Sequence, residues 1–360
     1  MIIDQECFFG VLREPTRLAE FDLRFWDAFL PMINQIDMLP HMVAQLDAAG
    51  LSDSLPRRIG IHLESARLRS RQQRRIVYWE VEQIKTVFAQ IGLPVVLLKG
   101  AAYLLLDLNI SIGRLYSDID TLVPRASIEK VEHVLKLHGW EQPEELAGQE
   151  QYFQRWMHEL LPLVHKRRGT KIDVHHNILP SVDNLQFDPG TLFENAQPVS
   201  VGSRIYTLAP ADMVLHNIIH LFRNGDYRRA LRDLVDLDKL LGEFSRNDET
   251  FFSQLSARAE ELNLLTPCYL AFRFVRKYLN TDIPAEAIAR AARGKPAWPP
   301  VWALDRFFEY ASLPTPFVKQ ESARLYSLWL LERYPLNLLR KTILPKLERK
   351  GIVLMNPKRY

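Results

Sequence analysis

Ser117-Asp-Ile-Asp-Thr-Leu-Val123 puts two acids at i and i+2 in a run that continues apolar and β-prone. On an extended strand successive side chains alternate faces, so Asp118 and Asp120 point the same way and Ile119 the other. Neighbouring carboxylates repel unless positive charge lies between them. A divalent cation held by oxygen ligands, Mg²⁺ before others, is the simplest neutraliser. Mg²⁺ on paired carboxylates usually meets phosphates, so this strand points to a phosphate-bearing substrate.

The flanking pattern surrounds that strand with helices. Ile59 to Ile91 is a long Arg/Glu/Gln-rich helical stretch, with Ile76, Trp79, Val81, Ile84 and Phe88 as its expected buried stripe and Gly92 as its stop. Before it, Phe21 to Leu46 has helical spacing that Pro31 and Pro40 are expected to break. Pro94 to Leu98 is an apolar run without alternation, as in a strand buried on both faces. Lys99-Gly100 is the turn into a short helix over Ala101 to Asp107, and Arg125 to Gly139 is amphipathic. Leu161 to His165 and Lys171 to His175 read as a β-hairpin turned at Gly169, with Arg204 to Leu208 as a further strand. From Pro210 onward the pattern is helical again. The expected fold class is α+β: a small mixed sheet with flanking helices, divided as 1–90 helical, 91–209 core and 210–360 helical.

The hairpin brings a third acid. In Lys171-Ile-Asp-Val-His175, Asp173 and His175 share one face while Ile172 and Val174 share the other. Two acids on one strand and one on a neighbour suit a two-metal phosphoryl-transfer site, with ions roughly 3.5–4 Å apart. The third acid bridges a metal or takes a proton from the attacking hydroxyl. Gly100 permits close backbone approach, and the helix start after it favours phosphate. Lys99 and Arg114 bring positive charge for phosphate, and Ser117 a hydroxyl.

Leu98-Lys-Gly-Ala101, then Arg114-x-x-Ser-Asp-Ile-Asp-Thr-Leu-Val123, then Ile172-Asp-Val-His175, resembles the uncharacterised bacterial nucleotidyltransferase family of the DNA polymerase β superfamily. The motifs are similar, more distantly, to abortive-infection nucleotidyltransferase toxins. The resemblance spans about residues 75 to 245 and takes in Leu215-His-x-x-x-His220 and Leu231-Arg-Asp-Leu-Val-Asp236. It implies Mg²⁺-dependent transfer of a nucleoside monophosphate from an NTP to a hydroxyl, with release of pyrophosphate. By position it makes Asp118, Asp120 and Asp173 the catalytic and metal-binding acids, with Lys99, Gly100, Arg114 and Ser117 on the nucleotide. One departure stands out: most superfamily members carry Gly-Ser at the turn, and this chain has Gly100-Ala101.

Other residues are weighed against plainer roles. His175, His216 and His220 are candidates for the acceptor cleft. Asp212, His216 and His220 recur at i, i+4 and i+8, which also suits zinc or polar packing against the sheet. Arg232, Asp233 and Asp236 read first as a helix-surface ion-pair network. Trp298, Trp302, Phe307, Phe308 and Trp329 read as bundle core.

Net charge is only +3, which argues against a large RNA partner, and the resemblance favours a small-molecule or peptide acceptor. A tRNA-modifying toxin and a non-catalytic scaffold are the alternatives. Cys7 and Cys268 are far apart, no leader pattern opens the chain, and no apolar run is long enough for a bilayer. A cytoplasmic location follows as the expectation, while oligomeric state is not encoded in any pattern.

Overall fold

The computed structural model describes residues 3–146, 158–179, 183, 185–223, 229–297 and 301–314. Seven strands form one mixed sheet: β1 (Val95–Leu97), β2 (Ile119–Leu122), β3 (Trp140–Glu141), β4 (Leu163–His165), β5 (Lys171–His175), β6 (Gln197–Pro198) and β7 (Ile205–Thr207). Their order is β3-β4-β5-β2-β1-β7-β6. β2 runs antiparallel to β1 and parallel to β5, and β4–β5 is the antiparallel hairpin. The class is α+β, as the sequence patterns require.

Before β1 come α1 (Gln5–Arg13), α2 (Leu23–Gln35), α3 (Leu39–Ala48) and the 33-residue α4 (Arg57–Ala89). Within the sheet region lie α5 (Lys99–Leu105), α6 (Ile128–Leu137) and α7 (Gly190–Glu194). After it follow α8 (Pro210–Arg223), α9 (Ala230–Asn247), α10 (Phe251–Glu261), α11 (Leu265–Leu279), α12 (Ala285–Ala292) and α13 (Val301–Ser312). One buried apolar cluster runs from Ile3 to Leu313 through all three stretches. Phe9 of α1, for example, stacks on Tyr278 of α11 with ring centroids 4.7 Å apart.

Several local expectations change. Pro31 lies inside α2 rather than ending it, while Pro40 sits in the first turn of α3, where its missing N–H costs nothing. The buried stripe of α4 is carried by Val77, Val81, Ile84, Val87 and Phe88. Ile76 and Trp79 face outward, Trp79 half-exposed beneath the Arg168 guanidinium. Arg168 comes from the β4–β5 turn and binds buried Glu80 through Nε at 2.6 Å and Nη2 at 3.0 Å. Thr170 Oγ1 donates to the same carboxylate at 2.7 Å, so α4 anchors the hairpin that carries Asp173. Phe307 and Phe308 are core, but Trp302 is exposed. Trp298 and Trp329 lie outside the described residues.

Candidate active site

β2 and β5 are in parallel register with Asp120 opposite Asp173 and Ile119 opposite Ile172. Like charges directly opposite on a sheet destabilise it unless cations intervene. Two lysines do so. Lys99 Nζ donates to Asp120 Oδ1 at 2.8 Å. Lys171 Nζ donates to Asp173 Oδ2 at 3.0 Å and lies 3.7 Å from Asp118 Oδ2. The two strand acids respond differently. Burial opposes ionisation of Asp120, but Lys99 and His175 overcome it and hold the carboxyl well below its usual range. Burial pushes Asp173 up to about 7, with Asp120 adding to the rise and Lys171 opposing it.

The turn before α5 is tight. Leu98 N–H donates to the Asp120 carbonyl at 2.9 Å, and the chain then reverses at Lys99, whose φ is +44°. A non-glycine in that region is strained and held by its surroundings, here by the buried Lys99–Asp120 pair. Gly100 itself has no such angle. Its need is space: a Cβ there would stand 3.1 Å from the Tyr116 ring and 3.2 Å from Arg114 Nε.

The opposite wall is helical. Arg114 is buried in an ion pair with Asp236 of α9 and lies over the Tyr103 ring at 5.4 Å. Its Nε is buried without a hydrogen-bond partner. Arg232 pairs with Asp233 at 3.0 Å, and the same carboxylate binds His220 Nδ1 at 2.8 Å. Burial pushes the Asp233 carboxyl up, but Arg232 and His220 outweigh it and hold it well below the usual range. Arg229 Nη1 donates to Ser117 Oγ at 3.0 Å. The ion-pair network is therefore no surface feature: Arg232, Asp233 and Asp236 are buried.

Between the walls lies a cavity of about 180 Å³. Asp118, Asp120, Asp173, Lys99, Gly100, Arg114, Ser117 and His220 all line it, so eight separately chosen positions converge. His175 and His216 do not. His175 is buried behind Asp120, to which its Nε2 is bonded at 2.9 Å. His216 is buried one turn before His220. The i, i+4, i+8 face is also split: Asp212 is taken by Arg258 at 2.6 Å, in reach of neither histidine's role.

Glu159, Asn217, Tyr103 and Tyr116 line the cavity without having been singled out by sequence. Lys171 was missed as well, although its i, i+2 spacing from Asp173 puts it on the same strand face. No sequence signal marks Glu159.

The donor set suits a hard divalent cation. Asp118, Asp120 and Asp173 share the cavity with Glu159 and Asp233, and Asp173 Oδ1 is buried with no hydrogen-bond partner. Two ammonium groups supply the balancing charge within the cluster.

Residues 23–280, well over half of the chain, match the model of a family described as an uncharacterised nucleotidyltransferase. No curated protein and no solved structure gives a significant match. The chain belongs to this nucleotidyltransferase family and is a transferase of nucleotidyl groups. Among the described residues no helix is long and apolar enough to cross a membrane.

Proposed function

We propose that the cavity transfers a nucleoside monophosphate from an NTP to a hydroxyl of a small-molecule or peptide acceptor, with Mg²⁺ held by Asp118, Asp120 and Asp173. The observation that carries this reading is the register of Asp120 against Asp173 around an unpartnered carboxylate oxygen. Bound Mg²⁺ would polarise the phosphoryl oxygens and offset charge on the leaving pyrophosphate.

The chain's own groups account for the remaining steps. Asp173, raised toward neutrality, is placed to accept the acceptor's hydroxyl proton. Lys99 holds Asp120 ionised and fixed in direction. Arg114 and Arg229, across the cavity, present cationic edges to the triphosphate. The turn lacks a hydroxyl because residue 101 is alanine, and Ser117 Oγ is a hydroxyl that the cavity offers instead. Asn217 and His220 line the side on which the acceptor would enter, making the helical stretch after residue 210 the acceptor-binding part.

The test is thermal denaturation of the purified chain with each NTP, with and without Mg²⁺, beside Asp118→Asn. A native-state ligand at 100 times its Kd adds about 2.7 kcal/mol of stability. A rise in Tm that needs Mg²⁺ and vanishes in Asp118→Asn is expected. Asp118 is partly exposed, so its loss should leave the apo fold within about 0.5 kcal/mol of the parent. The same rise in Asp118→Asn, or no rise with any NTP, would overturn the reading. Incubation with labelled NTP then separates acceptors: label moving into tRNA would replace the small-acceptor assignment with the RNA one.

A further inference from the structure

At the border of the cavity, three potential ligand residues converge that the transfer reaction does not use. His158, Glu159 and His175 each offer one ligand atom, all within 4.8 Å of one another. His158 and His175 are buried, and Glu159 is partly so. The chain at 158–160 lies along β5: His176 N–H donates to the His158 carbonyl and Leu160 N–H to the Val174 carbonyl, each at 2.8 Å.

Both imidazoles carry an unexplained nitrogen. His158 Nδ1 and His175 Nδ1 are buried without a hydrogen-bond partner. Buried polar atoms in native proteins are nearly always satisfied, so two orphans in adjacent rings call for a common cause. The rings stand 5.2 Å apart, centroid to centroid. His175 Nε2 lies 2.9 Å from Asp120 Oδ1, the geometry of an N–H donated to a carboxylate. In neutral His175 that leaves a lone pair on Nδ1, which stands 3.2 Å from Glu159 Oε2. Two lone-pair atoms at that distance repel unless something positive joins them. A proton on Nδ1 would serve His175 but leave His158 Nδ1 orphaned. One metal ion would join a nitrogen of each ring and the carboxylate together, since each of the three residues offers one ligand atom.

We infer that His158, Glu159 and His175 form a zinc site next to Asp120, bordering the cavity that Glu159 also lines. Two imidazoles and one carboxylate suit zinc, and three protein ligands leave a fourth position for water. Bonds of roughly 2.0–2.1 Å set tetrahedral donors about 3.4 Å apart, so closure from 4.8 Å needs only rotamer-scale movement. Asp120, on the other nitrogen of His175, fixes its tautomer, as carboxylates do behind metal-bound histidines. The ion would pin residues 158–160 to β5 and orient Asp120 from behind. This site does not depend on how the cavity itself is read.

The experiment is metal analysis of the untagged full chain, equilibrated with zinc and dialysed against excess Mg²⁺. One zinc per chain is expected to remain, falling about tenfold or more in His158→Gln and in Glu159→Gln. Asp118→Asn should keep its zinc, which separates this site from the cavity. Cobalt substitution should give visible d–d bands in the parent and not in Glu159→Gln, whose partly exposed position keeps the fold intact even if His158→Gln is unstable. Sub-stoichiometric zinc in the parent, or undiminished zinc in folded Glu159→Gln, would overturn the inference.

Discussion

The two walls of the cavity neutralise charge in opposite ways. On the sheet wall the acids come first: Asp120 and Asp173 are forced together by backbone register, and lysine heads reach over to balance them. On the helical wall the cations come first, and two of them are matched by acids from α9: Arg114 by Asp236, Arg232 by Asp233. The sheet wall keeps an unpartnered carboxylate oxygen and the helical wall an unpartnered guanidinium nitrogen. One wall is thus left short of a cation and the other short of an anion. That is the polarity expected of a site for a metal-bound phosphate, and it shows that rigid pairing and residual demand coexist within a few side chains.

The sharpest way to break the comparison is to strip the helical wall of its matching acid. Asp236→Ala leaves Arg114 buried and unpaired, and urea denaturation should show a loss of about 3–5 kcal/mol. Joint Arg114→Met and Asp236→Leu substitution should recover most of it, because a buried apolar pair replaces a buried ion pair at little cost. A loss below about 1 kcal/mol in the single variant would mean that the pair is no structural unit.

Acid should separate the walls next, with opposite signs. His41 sits beneath the helical wall, its Nδ1 3.2 Å from the Ile112 carbonyl, and burial holds it down to about 4 from 6.5. Between those values the unfolded chain binds the proton that the fold refuses. Stability should therefore fall as pH drops from 6.5 to 4, by up to about 3 kcal/mol from this group. Asp173 is raised from 3.8 to about 7, so its contribution is full below 3.8 and is lost as pH climbs through 7. The two windows overlap and the contributions oppose each other in the parent, so denaturation midpoints of metal-free protein should fall with rising pH in His41→Asn and rise with rising pH in Asp173→Asn. Unaltered slopes in both variants would remove the distinction.

The smallest expected effect lies where the walls meet. Gly100→Ala gains about 1 kcal/mol of helix propensity but forces a methyl against Tyr116 and Arg114, an overpacking cost of typically 1–3 kcal/mol. A net loss of about 1 kcal/mol, with a weaker Mg²⁺-dependent NTP shift, is expected by denaturation and thermal melts. A stabilised variant would show that the wall yields freely.

The sheet wall was the more legible of the two because strand alternation is a local rule. Asp118-x-Asp120 and Asp173 could be assigned a face from their immediate neighbours. Arg232, Asp233 and Asp236 looked like a surface network, since a buried ion pair and a solvated one have the same i, i+3 and i, i+4 spacing. His216 and His220 share a helix face by spacing, yet a single turn separates a buried ring from one lining the cavity. Glu159 lies in no periodic pattern and reaches the site only because 158–160 extends along β5.

What the amino-acid sequence determined alone was the α+β layout, the order of strand, Lys99-Gly100 turn and acidic strand, and the faces of the three acids. Those follow from residue-to-residue periodicity and turn chemistry, which act over a few positions. The tertiary structure decided the pairing of Asp120 with Asp173, the lysine heads between the acids, the arginine wall and the retreat of His175 behind Asp120. Each depends on register or helix packing between segments tens of residues apart, where the energy lies in burial and charge pairing and leaves no local trace.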